Sequence, residues 1–305
     1  MRYLTLLLAP ALFLQAQPSR PQSPLARTYR EGETLVYRMK GTNEGPGGTL
    51  RYEATATGTV QKRTDGNLVE CYAWSQVIHN GKPLLLPEAS RTFRQIVSRS
   101  PGVFPAMPDI KGVSHLDGPV MDLLTFYADL FVATMAGLSK PGDHASFPMP
   151  QANTFNFGPQ VVVAEDAIDF ELTLVDVDTA AQTGRLKVKH LPPTQARVKL
   201  PASWMKIPVK ETPNNWVQVL KAADGTFTAE VGQEIFEVEI LLDLRDGKIL
   251  RATIDNPIEV LRHLCDDATL TPRGEGHRYR IYRRIEMDLV TPLEMDHRLD
   301  ATETK

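Results

Sequence analysis

The sequence predicts a mainly β protein, a curved antiparallel sheet or open barrel that cradles one apolar helix at 118–138. Three observations predict it. Segments of period-two alternation recur along the chain, which is the signature of half-buried strands. Between such segments stand the dipeptides Asp65-Gly66, Asn80-Gly81, Asp224-Gly225 and Asp246-Gly247. Glycine, Asn and Asp tolerate the positive φ that tight hairpin turns require. One stretch breaks the alternation and is apolar nearly all round, as a helix enclosed by a sheet must be.

The first segment reads as an address. Met1 and Arg2 form a short positive region, Tyr3 to Leu14 an apolar one, and Leu14-Gln15-Ala16 offers a small residue for cleavage. This is the pattern of a secretory signal peptide over 1–16, removed from a periplasmic or secreted protein. The apolar run is shorter than the ~20 residues of a membrane span. Residues 17–30, with the Pro-rich stretch Pro18 to Pro24, read as a disordered leader that builds no core.

The first β meander with its helix is expected over 31–191. Leu50, Tyr52, Ala54, Ala56, Gly58 and Val60 alternate with a polar row. After Asp65-Gly66, Leu68 to Ile78 reads as a strand with Tyr72, Trp74 and Ile78 on one face and Val69, Cys71, Ala73 and Val77 on the other. Asp117 is a plausible N-cap, Pro119 suits a first helical turn, and Pro141-Gly142 supplies a stop. Inside the helix the charges are Asp122 and Asp129, seven apart and so on one stripe.

Prolines at 192, 193, 201, 208 and 213 make 192–213 a long loop, because proline interrupts both ladders and helices. Its Trp204, Met205 and Ile207 either pin it to the body or make it a flap over a pocket. A second meander follows at 214–290. Its strands are read at Trp216 to Lys221, Thr226 to Val231, Glu234 to Leu244, Lys248 to Ile254 and His277 to Val290, with 291–305 as a tail.

Charge and motifs narrow the function. There are 34 basic and 37 acidic residues, a net charge of −3; loss of Arg2 with the signal leaves 33 against 37, or −4. Nucleic-acid binding needs a basic footprint that is absent here. Hydrophobic content of 42% with 23% charged residues is that of a folded globular chain, not a disordered one. No nucleophile elbow, phosphate loop or His-Glu-x-x-His motif occurs, and no cofactor is implied.

The densest polar cluster is Glu259, His263, Cys265, Asp266 and Asp267. On a short helix it would place Glu259, His263 and Asp267 on one stripe, fit for a metal or a general base, or simply a solvated face. In the last strand Arg283 stands within the apolar row Tyr279, Ile281, Ile285, Met287 and Leu289. A buried guanidinium needs a carboxylate, such as Asp122 or Asp129, or an anionic ligand.

Cys71 and Cys265 are the only cysteines. In an exported chain they either form a disulfide, closing about 195 residues at a gain of up to ~5 kcal/mol, or stand as two buried thiols.

Three short motifs resemble a family of exported bacterial β-rich proteins of unknown function: Gly32-Glu33-x-Leu35-x-Tyr37, Asp122-Leu123-Leu124-x-x-Tyr127, and Pro141-Gly142-Asp143. The likeness spans about residues 31–190. It implies a periplasmic curved sheet and no established catalytic residues.

The expectation from these readings is a non-catalytic envelope or secreted module that binds an apolar or amphipathic ligand, with Arg283, Trp204 and Tyr127 as candidate contacts and a lipophilic small molecule or an envelope protein as partner. A structural factor that assembles envelope proteins is the alternative, and a metal- or carboxylate-dependent hydrolase a third. No membrane span is expected in the mature chain.

Overall fold

Alternating rows become strands. In the computed structural model, which describes residues 23–99, 105, 108–110, 112–113, 115–148, 153–156, 161–165, 169–191, 202–211 and 214–290, the elements follow one another as β1 (Thr34–Gly45), β2 (Gly48–Lys62), β3 (Leu68–His79), β4 (Lys82–Pro83), α1 (Glu88–Thr92), β5 (Gln95–Arg99), α2 (Asp117–Ala136), β6 (His144–Pro148), β7 (Asn153–Asn156), β8 (Val161–Glu165), β9 (Asp169–Asp178), β10 (Thr183–Leu191), β11 (Trp216–Lys221), β12 (Phe227–Glu234), β13 (Phe236–Asp243), β14 (Ile249–Cys265) and β15 (His277–Leu289). The expected signal peptide, most of the 192–213 loop and the tail lie outside the described residues.

The strands form one antiparallel sheet that does not close. Its trunk runs β3–β2–β1–β15–β14, with β4 and β5 both paired to β3. At β14 the sheet forks. Residues up to Asp255 pair with β13, and residues from Ile258 onward pair with β12. One arm continues β13–β10–β9–β6 and the other β12–β11–β8–β7.

The fork has a local cause. β12 and β13 are one long run bent at Ile235, not two arms of a hairpin. Across from the bend lies Pro257, which has no N–H to give and so leaves a gap in the ladder. The gap is spanned by Ile235 N–H donating to Pro257 O and by Asn256 Nδ2 donating to Ile235 O. Asn215 clasps the end of β12 from the other side, donating to Glu234 O and accepting from Glu234 N–H.

Both expected halves contribute to this one sheet. β1 pairs with β15 and β10 with β13, so the division at 192–213 separates sequence, not structure.

The helix fills the concavity. Its buried residues fall on every side, and Leu123, Phe126, Val120 and Ala133 are fully enclosed. Packed with it are Tyr37, Met39, Tyr72, Leu172, Leu174, Leu186 and Ile240 from the surrounding strands. By length and composition α2 could cross a bilayer, but 72% of its apolar window is buried inside the protein. The helix begins one residue earlier than expected, with Leu116 at the cap and Asp117 in the first turn. It ends earlier too, at Gly137 in the left-handed conformation (φ 73°), which suits glycine because it has no Cβ. Pro141-Gly142 belongs to the turn into β6.

Three further expectations change. Gln76 takes φ 50° and shifts the β2–β3 register, so Val77 rather than Ile78 turns inward. The short helix expected around Glu259 is strand, because Ile254, Asn256, Ile258 and Val260 continue the inward row of β14. Residues 23–30 of the leader are ordered and Leu25 is fully buried in the main core.

Of the two readings left open for the cysteines, the structure has the separate thiols. Cys71 and Cys265 are free thiols, the first half-buried and the second buried. β3 and β14 lie four strand steps apart, about 19 Å at ~4.8 Å per step. Cys71 sits opposite Thr59 and so level with the start of β1, while Cys265 is at the far end of β14 from the residues that flank it. A bridge needs Cα atoms within ~7 Å.

Candidate functional site

The two helix carboxylates each find a partner in the sheet. Asp122 Oδ1 accepts from Arg283 Nη2 at 2.6 Å, and its Oδ2 accepts from the Tyr52 hydroxyl at 2.7 Å. Arg283 Nη1 also reaches Asn256 Oδ1 at 3.3 Å. One helical stripe further on, Asp129 Oδ1 lies 2.9 Å from His190 Nε2. The His190 ring is held between its cross-strand neighbours Phe170 and Phe236, with centroids 4.4 and 5.0 Å away. Asp129 Oδ2 is buried without a hydrogen bond among the described residues.

Glu234, at the fork, faces Arg283, Asn256 and His190. These groups form a polar layer across the concave face. Burial pushes the Asp122 carboxyl up, against the pull of Arg283. Burial likewise raises Glu234 from its ordinary 4.5 to about 7, with Arg283 and the Asn256 hydrogen bond opposing. The folded state therefore holds the Glu234 proton more tightly than the unfolded chain does. The stability this supplies is complete below about pH 4.5 and is lost as pH rises to about 7. Glu234→Gln should match the wild type at pH 4 and exceed it by ~3 kcal/mol above pH 7, since each tenfold difference in proton affinity is worth ~1.4 kcal/mol. Urea unfolding of both proteins from pH 4 to 8 measures this difference.

Beyond the polar layer the same strand faces continue as an apolar tier. Asn256 pairs with Arg283, and two residues on, Ile258 pairs with Ile281 and Val260 with Tyr279. Trp216 completes the tier: its ring lies over Gly232, where a Cβ would come within 2.7 Å of it. Among the described residues, Leu220 and Tyr279 pack against this tier. Its far end is closed by a second polar group, in which Tyr279 OH donates to Glu230 at 2.8 Å and Arg262 donates to both. The tier is thus a short packed apolar cluster between two charged ends.

The other expected site residues are placed elsewhere. Tyr127 is on α2 and donates to Glu70 Oε1 at 2.6 Å, away from solvent. Trp204 lies on the opposite face of the forked arm, with its Nε1 donating to Leu270 O and its ring 4.5 Å from that of His263. Met205 beside it is fully buried, and Asn214 braces the loop through Met205 O and Ile207 O. The described part of the loop, residues 202–211, is pinned to the body through Trp204 and Met205.

The proposed Glu-His-Asp stripe does not assemble. On a strand, residues four apart are ~13 Å apart rather than ~6 Å. Glu259 instead pairs with Arg280 and Lys210, and Asp266 with Arg273. No group of three metal-ligating side chains occurs among the described residues. A separate open cleft of about 550 Å³ is lined by Thr49, Arg51, Tyr52, Glu53, Ile78, Asn80 and Gly81.

Sequence reasoning missed Glu70, His190, Glu234 and Asn256. Its own signal could have found two of them. Glu70 stands in the inward row with Tyr72 and Trp74, and His190 in the row of Leu186 and Val188.

No known protein family and no curated protein matches the chain. Among solved structures, a doubly substituted OccD1 (OprD) is 7% identical with a TM-score of 0.21, over 89% of this chain and 99% of that one. A Nitrosomonas europaea protein assigned provisionally as AttH is 9% identical with a TM-score of 0.15, over 91% of this chain and 98% of that one. Likenesses this slight carry nothing about fold or function.

Proposed function

We propose that the chain is a non-catalytic binding module, exported to the envelope or beyond, for an amphipathic ligand with a neutral or cationic head. The observation that carries this reading is the apolar tier of Trp216, Ile258, Val260 and Ile281 set between two polar ends. Apolar walls with a few placed polar groups are the usual composition of a small-molecule site. The tier residues are 0–8% exposed, so a ligand tail would enter by parting Trp216 from Ile258 and Ile281.

The polar layer sets the head group. Arg283 is already paired with Asp122, and Asp129 and Glu234 add further acid against His190. An anionic head would meet net negative charge there. The hydrolase reading loses its support because Glu259, His263 and Asp267 lie along strand β14 and its end rather than on one helical stripe, and Glu259 is paired with Arg280 and Lys210.

Dodecylamine, dodecanol and dodecanoate distinguish the outcomes. In native mass spectrometry and calorimetric titration, the amine and alcohol should bind one per chain and the carboxylate at least tenfold more weakly. Ile258→Asp should abolish binding of all three. Equal binding of all three, or binding that survives Ile258→Asp, would remove the reading and leave the assembly-factor alternative.

A further inference from the structure

The segment from Ser23 to Arg30 belongs to no strand or helix, yet it is anchored at three separate parts of the fold. Ser23 Oγ donates to Leu138 O beyond the end of α2, and Thr28 N–H donates to Asp246 O in the β13–β14 turn. Leu25 is wholly buried in the main core. Ala26 runs so close to Gly247 that a Cβ there would lie 2.5 Å from Ala26 O.

Arg27 is the central anchor. Its Nε reaches Glu70 Oε2 at 3.3 Å and its Nη2 reaches Glu33 Oε2 at 2.7 Å. Its Nη1 donates to Thr28 O and Asp246 O. Glu70 has no solvent exposure, and its Oε1 accepts from the Tyr72 and Tyr127 hydroxyls, both at 2.6 Å. Two tyrosines thus orient the carboxylate and leave Oε2 for a cation. Arg27 is the cation that Glu70 pairs with among the described residues, and without it the body would hold a stranded buried carboxylate, a costly state.

The seat is therefore built by the body, and the strap behaves as its ligand. It joins β1 through Gly32, which takes φ 81° with open space around it. We propose that this seat is a peptide-binding site for an extended Leu-x-Arg segment, with the chain's own strap as resident occupant, and that the strap of a second copy takes it in exchange. Every copy carries a strap that fits every seat, which is the condition for swapping an element between protomers. Tethering gives the resident strap an effective concentration on the order of mM, so exchange competes only at high protein concentration.

The test uses the full chain and a labelled peptide spanning Gln22–Glu31. Added to a Leu25→Ala, Arg27→Ala chain, whose own strap cannot compete, the peptide should bind one to one, and its Arg27→Ala form at least tenfold more weakly. In the unsubstituted protein, excess peptide should speed hydrogen exchange across residues 23–30. Sedimentation should show dimers that grow with concentration and dissolve when the peptide is added. Equal binding of the two peptides, or unchanged exchange in the unsubstituted protein, overturns the site. Peptide binding by a chain that stays monomeric at every concentration overturns the second copy as occupant. Should the double variant fail to fold, the hydrogen-exchange measurement decides alone.

Discussion

Arg283→Met is expected to destabilise the protein by about 3–5 kcal/mol, the cost of stranding one member of a buried ion pair. Asp122 is 2% exposed and would keep only the Tyr52 hydroxyl. Burial already raises its pKa, and loss of the guanidinium removes the main force opposing that rise. The variant should therefore recover part of its stability as pH falls and Asp122 takes up a proton. Asp122→Leu combined with Arg283→Met should restore at least half of the loss, since two apolar groups leave no unpaired charge. Urea denaturation of the two single variants and the double variant yields the coupling between the sites. A double variant as unstable as the sum of the singles would show that the pair contributes no mutual stabilisation.

Phe126→Ala should cost about 3–5 kcal/mol, through lost transfer free energy and the cavity left behind. Phe126 has no exposure and lies at the middle of α2, within the main cluster. The helix is buried on nearly all sides, so no neighbour can relax into the gap without opening another. At 2–4 °C per kcal/mol for a chain of this size, Tm should fall by about 10 °C. Phe131→Ala on the same helix serves as the comparison, because Phe131 is only half-buried and should lose less than half as much. Equal losses at the two positions would contradict the placement of the helix inside the sheet.

The inward and outward rows, the four turns and the helix were legible because their causes are local. Alternation is a property of neighbours two apart, and Asp-Gly and Asn-Gly carry their backbone preference with them. Arg283 was legible for the same reason: a charge in an apolar row marks a buried partner, and the helix carboxylates were the nearest candidates. Glu70 and His190 carried that signal equally. Glu234 did not, because β12 is buried on both faces and shows no alternation to violate.

What the sequence by itself determined was which segments extend, where they turn, and which face of each is apolar. The tertiary structure alone decided which strands meet. Pairing joins residues far apart in the chain, such as Thr34–Gly45 with His277–Leu289, and register depends on the partner as much as on the strand. Pro257 illustrates the difference. Read locally it ends a strand, and the alternation behind it can be taken for a helix. In the fold its missing donor falls where β12 bends into β13, the gap is spanned by the Asn256 side chain, and β14 runs through. The same bend divides the concave face into a helix-filled core and a separate apolar tier, with the buried charges at the boundary between them.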